Sequence, residues 1–179
     1  MLQSWLRKDN LNIKRLWDQH KTSSDLENKK NLGNELIKEI CIHNNLETRH
    51  LYPEIRKNLP NGDQLVRRAL EDNLNIESSL NELTKLSPDN TQWDSNLNEV
   101  IRLTMSHMEH LESNILPEME KHLNADQIKN LAQRIEQSRN SMPTRPHPHL
   151  PKEGIMATIA NAMAAPADRM ADTIMGRTK

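Results

Sequence analysis

The chain repeats itself at long range, and that repeat limits what it can fold into more than any other feature. Asp9-Asn10-Leu11-Asn12-Ile13 recurs as Asp72-Asn73-Leu74-Asn75-Ile76, 63 positions on. His43, ten residues before Pro53, recurs as His107, ten before Pro117, 64 positions on. Landmarks that keep their spacing over such a distance describe one structural unit used twice. Each copy reads as helical. Leu6, Asn10, Ile13, Leu16 and Trp17 follow the three-and-four spacing of a buried helix face; so do Leu65, Ala69, Asn73, Ile76, Leu80 and Leu83. Trp93, Leu97, Val100, Thr104, His107 and Leu111 continue the pattern in the second half. Only four glycines and sparse β-branched runs agree with helices throughout. With no phenylalanine, the core falls to Leu, Ile and Met together with Trp5, Trp17, Trp93 and Tyr52.

Breaks in the pattern set the elements. Lys21-Thr22-Ser23-Ser24-Asp25, Leu59-Pro60-Asn61-Gly62-Asp63 and Ser87-Pro88-Asp89-Asn90 are turns by composition. They predict helices over 4–20, from about 25 to 58 with a bend near Pro53, to about 86, and over 91–122. The expected fold class is all-α: an antiparallel up-down four-helix bundle of two repeated hairpins over 1–123, with short helices after it. Residues 124–141 read as one extra helix capped by Asn124-Ala125-Asp126, and 142–152 as a stiff, solvated, Pro-rich linker carrying His147 and His149. Residues 153–179 form an Ala/Met-rich amphipathic tail, with Ile155, Ile159 and Met163 in one stripe and Met170 and Ile174 in another, and Pro166 starting a short helix.

The chemistry concentrates in the second helix of each hairpin. His43 and Glu47 are four residues apart and so share a face, the face that Leu36 and Ile40 also occupy. A carboxylate directed into an apolar interior needs a metal, a hydrogen-bond partner or a proton. His107 repeats His43. His110, three residues on, shares its face within about 60°, whereas Glu112 lies about 140° round and is expected in solvent. His50, two turns beyond His43, reads as an interior histidine bonded to backbone or as a support for the ligands. His20, at the end of the first helix, is expected to face water.

His43-Asn44-Asn45-Leu46-Glu47 with Tyr52-Pro53, His107 with Leu116-Pro117, and the two Asp-Asn-x-x-Ile segments together resemble the hemerythrin-like family, the HHE cation-binding domain, over residues 1–123. Members of that family are similar in carrying Asp/Glu-His-x-x-Ile/Val on the first and third helices and His-x-x-x-Glu before a Leu/Tyr/Phe-Pro on the second and fourth. The resemblance implies a four-helix bundle whose ligands hold a non-heme di-iron centre. Here Asn10 and Asn73 stand in place of the first- and third-helix histidines, and Leu111 in place of the fourth-helix carboxylate. His43, Glu47 and His107 match and are the metal ligands the resemblance implies, with His110, Asn10, Asn73 and His50 as supplementary or supporting groups. Two histidines and one carboxylate equal the set that holds mononuclear Fe(II). Two readings stay open: a non-heme iron site reduced to one ion, or a metal-free bundle in which Leu111 fills the space of the lost anion.

Composition excludes some functions. A net charge of −1 gives no bulk attraction to nucleic acid or anionic membrane. No apolar run approaches the ~20 residues of a membrane span, and the N-terminus lacks the apolar core of a signal peptide. The single Cys41, between Ile40 and Ile42, reads as a buried structural thiol in a reducing, cytoplasmic compartment. No acid–base or nucleophile constellation stands apart from the suspected ligands, so the chain does not read as an enzyme. The first reading is a metal-binding protein that senses dioxygen, redox state or iron; its small ligand is dioxygen and its tail meets a protein partner. The alternative is a structural or interaction bundle acting through its surface or tail.

Overall fold

Two helical hairpins pack side by side in the computed structural model, which describes residues 2–149 and 164–173. α1 (Leu2–Thr22) turns at Ser23 into α2 (Leu26–Leu46), whose N-terminus is capped by Asp25 accepting from the Asn28 amide at 2.7 Å. α2 passes through a π-helical turn, Glu47–Leu51, into α3 (Tyr52–Asn58). α4 (Gly62–Thr84) and α5 (Trp93–His110) form the second hairpin, and α5 passes through a second π-turn, Leu111–Ile115, into α6 (Leu116–His122). The two π-turns are 64 positions apart, as are the leucines that end the two short helices. Leu59 has φ −103° and ψ 140°, and Leu123 has φ −103° and ψ 139°. The sequence repeat is thus a repeat of backbone geometry.

Proline accounts for the widened turns. Pro53 and Pro117 have no amide hydrogen and clash with the carbonyl four residues back. Those carbonyls, on Arg49 and Ser113, lie inside the π-turns. The residue before each proline bonds five back instead: the Tyr52 amide donates to Glu47 O, and the Leu116 amide to Leu111 O.

The core falls into two apolar clusters. Trp5, Leu6, Leu46, Leu51, Tyr52, Leu111 and Ile115 belong to the one near the π-turns. Ile13, Leu36, Ile40, Ile76, Leu80, Trp93 and Val100 belong to the other. Gly33 belongs to the second end, where a Cβ would stand 3.2 Å from the Trp93 ring, so glycine is what lets that ring lie against α2. Between the clusters lies a layer of buried polar side chains: Asp9, His43, Glu47, Asn73, Thr104 and His107.

α7 (Ala125–Ser138) begins with a reciprocal cap between Asn124 and Gln127, both bonds 2.9 Å, and buries Leu131 and Ile135 in the cluster near the π-turns. The segment after it is not a solvated linker. Met142 and Thr144 are buried, and the amides of Thr144 and Arg145 donate to Asp168 of the helical residues 164–173. Thr144 Oγ1 donates to Asp172 at 2.6 Å, and His147 Nε2 lies 3.0 Å from Asp168. A buried amide needs an acceptor, and Asp168 supplies it for both, while Asp172 accepts from the Thr144 hydroxyl. Ile155, Ile159, Met163 and Ile174 lie outside the described residues, while Met170 is exposed. Among the described residues no helix is long and apolar enough to cross a membrane.

Candidate metal centre

His43 and Glu47 come from the last turn of α2 and the first residue of the π-turn, and both are fully buried. His43 Nε2 lies 2.7 Å from Glu47 Oε1. The two atoms face one another closely, yet neither has an aligned hydrogen-bond partner. Across the carboxylate, His107 Nε2 of α5 lies 2.9 Å from Glu47 Oε2 in good hydrogen-bonding geometry. Oε2 also accepts from Tyr52 Oη at 2.9 Å and from Asn73 Nδ2 at 3.1 Å. Asn73 Nδ2 reaches Tyr52 Oη at 2.6 Å as well, and its own Oδ1 is buried without a hydrogen-bond partner.

The far nitrogen of each imidazole is held by an aspartate. His43 Nδ1 donates to Asp9 Oδ2 at 3.0 Å, and His107 Nδ1 to Asp72 Oδ2 at 3.4 Å. Trp5 stacks on the His43 ring with centroids 5.5 Å apart and planes 16° apart. A carboxylate on Nδ1 fixes the ring's orientation and leaves Nε2 to meet whatever occupies the centre.

Charges alternate along this row. Burial alone would push His43 down, but Glu47, with the hydrogen bond to Asp9, raises it to about 10. His107 is raised to about 9 against the same burial, by Glu47 and by the bond to Asp72. Burial opposes ionisation of Glu47, yet His43 and His107 hold its carboxyl well below the usual range. Without a metal, then, the centre is a carboxylate between two imidazolium rings.

Of the residues singled out from sequence, the structure brings His43, Glu47, His107 and Asn73 together. Asn10 is not among them. It turns toward Glu112, donating to its Oε2 at 3.2 Å, and Arg7 pairs with the same carboxylate, so Glu112 is not free in solvent either. His110 is only partly buried and takes a hydrogen bond from Asn114 at 3.1 Å. His50 is bonded to the Ser138 hydroxyl of α7 at 2.8 Å, not to backbone and not to a ligand; burial lowers its pKa to about 4. His20 does not face water: it is buried, stacked on Trp17, and 3.8 Å from Asp94, with burial lowering its pKa. Leu111 is sealed in the apolar cluster.

Sequence reasoning assigned no role to Asp9, Asp72 or Arg139. Asp9 stands at the same spacing from Leu6 and Ile13 that admits Asn10, and the acid precedes asparagine in both repeats; that recurrence was the available signal. Arg139 lies beyond the repeats and carried none.

The donor set fits a metal in kind. His43 Nε2 and Glu47 Oε1 are buried, close and without aligned hydrogen bonds, and Asn73 Oδ1 is a further hard donor. Among the described residues no three His, Cys, Asp or Glu side chains stand grouped about one point as a metal cluster; they pair across Glu47 instead.

A helical bundle with histidines and a carboxylate from facing helices in its core defines the carboxylate-histidine class of metal-binding bundles. The model of the hemerythrin HHE cation-binding domain matches residues 2–119, and the chain belongs to that family. It is similar to a hemerythrin-like protein of Schizosaccharomyces pombe, 22% identical over 166 residues, covering 92% of this chain and 82% of that one. No solved structure matches the chain.

Proposed function

We propose that this protein binds one divalent metal ion, iron by family, through His43, Glu47 and His107 with Asn73 beside them. One observation carries the reading. His43 Nε2 and Glu47 Oε1 are buried, 2.7 Å apart and out of hydrogen-bonding alignment, and once His43 gives up its Nε2 proton they form a pair of donor atoms that one cation can share. A metal serves that geometry better than a proton, which needs a straight bond. The number one follows from the chain's own residues. Leu111 offers no second bridging anion, and Asn10, bonded through Nδ2 to Glu112, supplies no imidazole.

The role is binding or sensing rather than turnover, in a reducing, cytoplasmic compartment. His43, Glu47, Asn73 and His107 are each at most 4% exposed, so a ligand of diatomic size such as dioxygen suits the site and a larger substrate does not. Iron would supply reversible redox chemistry there. The protein's residues orient the imidazoles, exclude water and hold the Tyr52 hydroxyl proton against Glu47 Oε2.

A second reading has its own observation. His107 Nε2 is aligned with Glu47 Oε2, as a protonated, metal-free network requires. Metal content by mass spectrometry separates the two, on full-length protein prepared without a histidine tag. One equivalent of iron or another divalent ion, lost in His43→Ala and in His107→Ala, is the expected result. No metal after reconstitution with Fe(II) leaves the protonated network as the function-free core of an interaction protein.

A further inference from the structure

α7 lies outside the residues that match the family, yet its end reaches the centre. Arg139, which follows α7 directly, donates from Nη1 to Asp9 Oδ1 at 2.9 Å and to Oδ2 at 3.1 Å. Its Nη2 pairs with Glu39, one turn before His43 on α2. The guanidinium therefore ties α1 to α2 across the imidazole that Asp9 orients. With Arg139 in place Asp9 is only 3% exposed, so its buried oxygens depend on Arg139 and His43 for their hydrogen bonds. Arg139 is itself held. Ser138 bonds His50 in the first π-turn at 2.8 Å, Arg134 bonds Glu54 of α3 at 2.6 Å, and Leu131 and Ile135 share a cluster with Leu46 and Leu51. The second repeat offers the comparison. Asp72, the equivalent of Asp9, is 38% exposed, and its bond to His107 is longer, at 3.4 Å.

We propose that Arg139 is a positioning residue of the centre: by gripping both oxygens of Asp9 it fixes the hydrogen bond that orients His43, so the C-terminal extension completes the site. The positioning stands on geometry alone; its consequence for metal affinity rests on the metal-binding reading.

The test compares the imidazole ¹⁵N resonances of the full, metal-free chain with those of Arg139→Met, Arg139→Lys, Asp9→Asn, the Asp9→Asn/Arg139→Met pair and Arg134→Met. Arg139→Met is expected to shift the His43 resonances as Asp9→Asn does and to leave those of His107 in place. The pair is expected to add nothing to Asp9→Asn, because the two residues act through one hydrogen bond. Arg139→Lys, which keeps the charge and loses the fork, is expected to fall between, and Arg134→Met, which frees only Glu54, to change neither ring. Unmoved His43 resonances in Arg139→Met overturn the proposal; so does an equal shift in Arg134→Met, which would make docking of α7 the cause. Co(II) is then added to each protein. Arg139→Met is expected to bind it roughly ten- to a hundred-fold more weakly than the parent chain, the usual effect of losing a group that supports a ligand. Equal affinity overturns the contribution to the metal centre. A parent chain that takes up no Co(II) overturns the metal reading, and the resonances still decide the role of Arg139.

Discussion

Glu47 sets the electrostatics of the centre, since both imidazoles and the Tyr52 hydroxyl converge on its two oxygens. The Nε2 atoms of His43 and His107 ask for about two positive charges, either two protons or one divalent ion. In the metal-free chain the sign of the pH dependence follows. Both histidines are raised, to about 10 and about 9, from an ordinary 6.5. Their contribution to stability is present in full below about pH 6.5 and is lost as the pH climbs through 9 to 10. Glu47 is held low, so its contribution is present above about 4.5 and fades as the pH falls below that. Melting temperatures of chelator-treated protein are expected to fall from pH 6.5 to 10; a flat profile over that range would refute the ion-pair row. At this scale the sequence showed that His43 and Glu47 share one helix face and that His107 repeats His43, and the structure brings the three side chains together. It was ambiguous between neighbours. Helical periodicity admits Asp9 and Asn10 equally between Leu6 and Ile13, and the choice is made by Arg139 and Glu112, which are distant in sequence.

At the scale of elements, the corner between the hairpins makes the sharpest demand. A Cβ on Gly62 would press on Ile55 O and lie 2.6 Å from Arg56 Cα, backbone atoms that cannot swing aside. Gly62→Ala is expected to cost about 1–3 kcal/mol in urea denaturation. Gly33→Ala is expected to cost less, because it asks only the Trp93 ring to shift and gains helix propensity. Comparable losses at the two sites would show that the corner tolerates movement. Helix extents were readable from caps and turns, α7 most of all through Asn124 and Gln127. The π-turns were not. Pro53 and Pro117 announce a bend but not its form, and the widened turn brings Glu112 back against α1, where simple helical spacing leaves it in water. Nor did proline-rich composition reveal that 142–147 would be gripped by Asp168 and Asp172, since that grip depends on partners some twenty residues away.

Over the whole molecule, two equal backbones enclose an unequal site. The first repeat sends Asp9 inward and Asn10 toward Glu112; the second sends Asn73 inward and leaves Asp72 at the rim. The first carries the end of α7 against its polar residues, with Arg139 on Asp9 and Ser138 on His50. A symmetric pair of ions would need matched ligands from both halves, and Leu111 supplies no anion to match Glu47. The proposed centre therefore comes down to one divalent ion taking the place of two protons beside Glu47. Anaerobic titration of the metal-free chain with Fe(II) in weakly buffered solution at pH 7, counting ions and protons together, tests it most directly. The expected result is uptake of one ion with release of about two protons, both abolished in His43→Ala. Uptake of two ions, or of none, would contradict it.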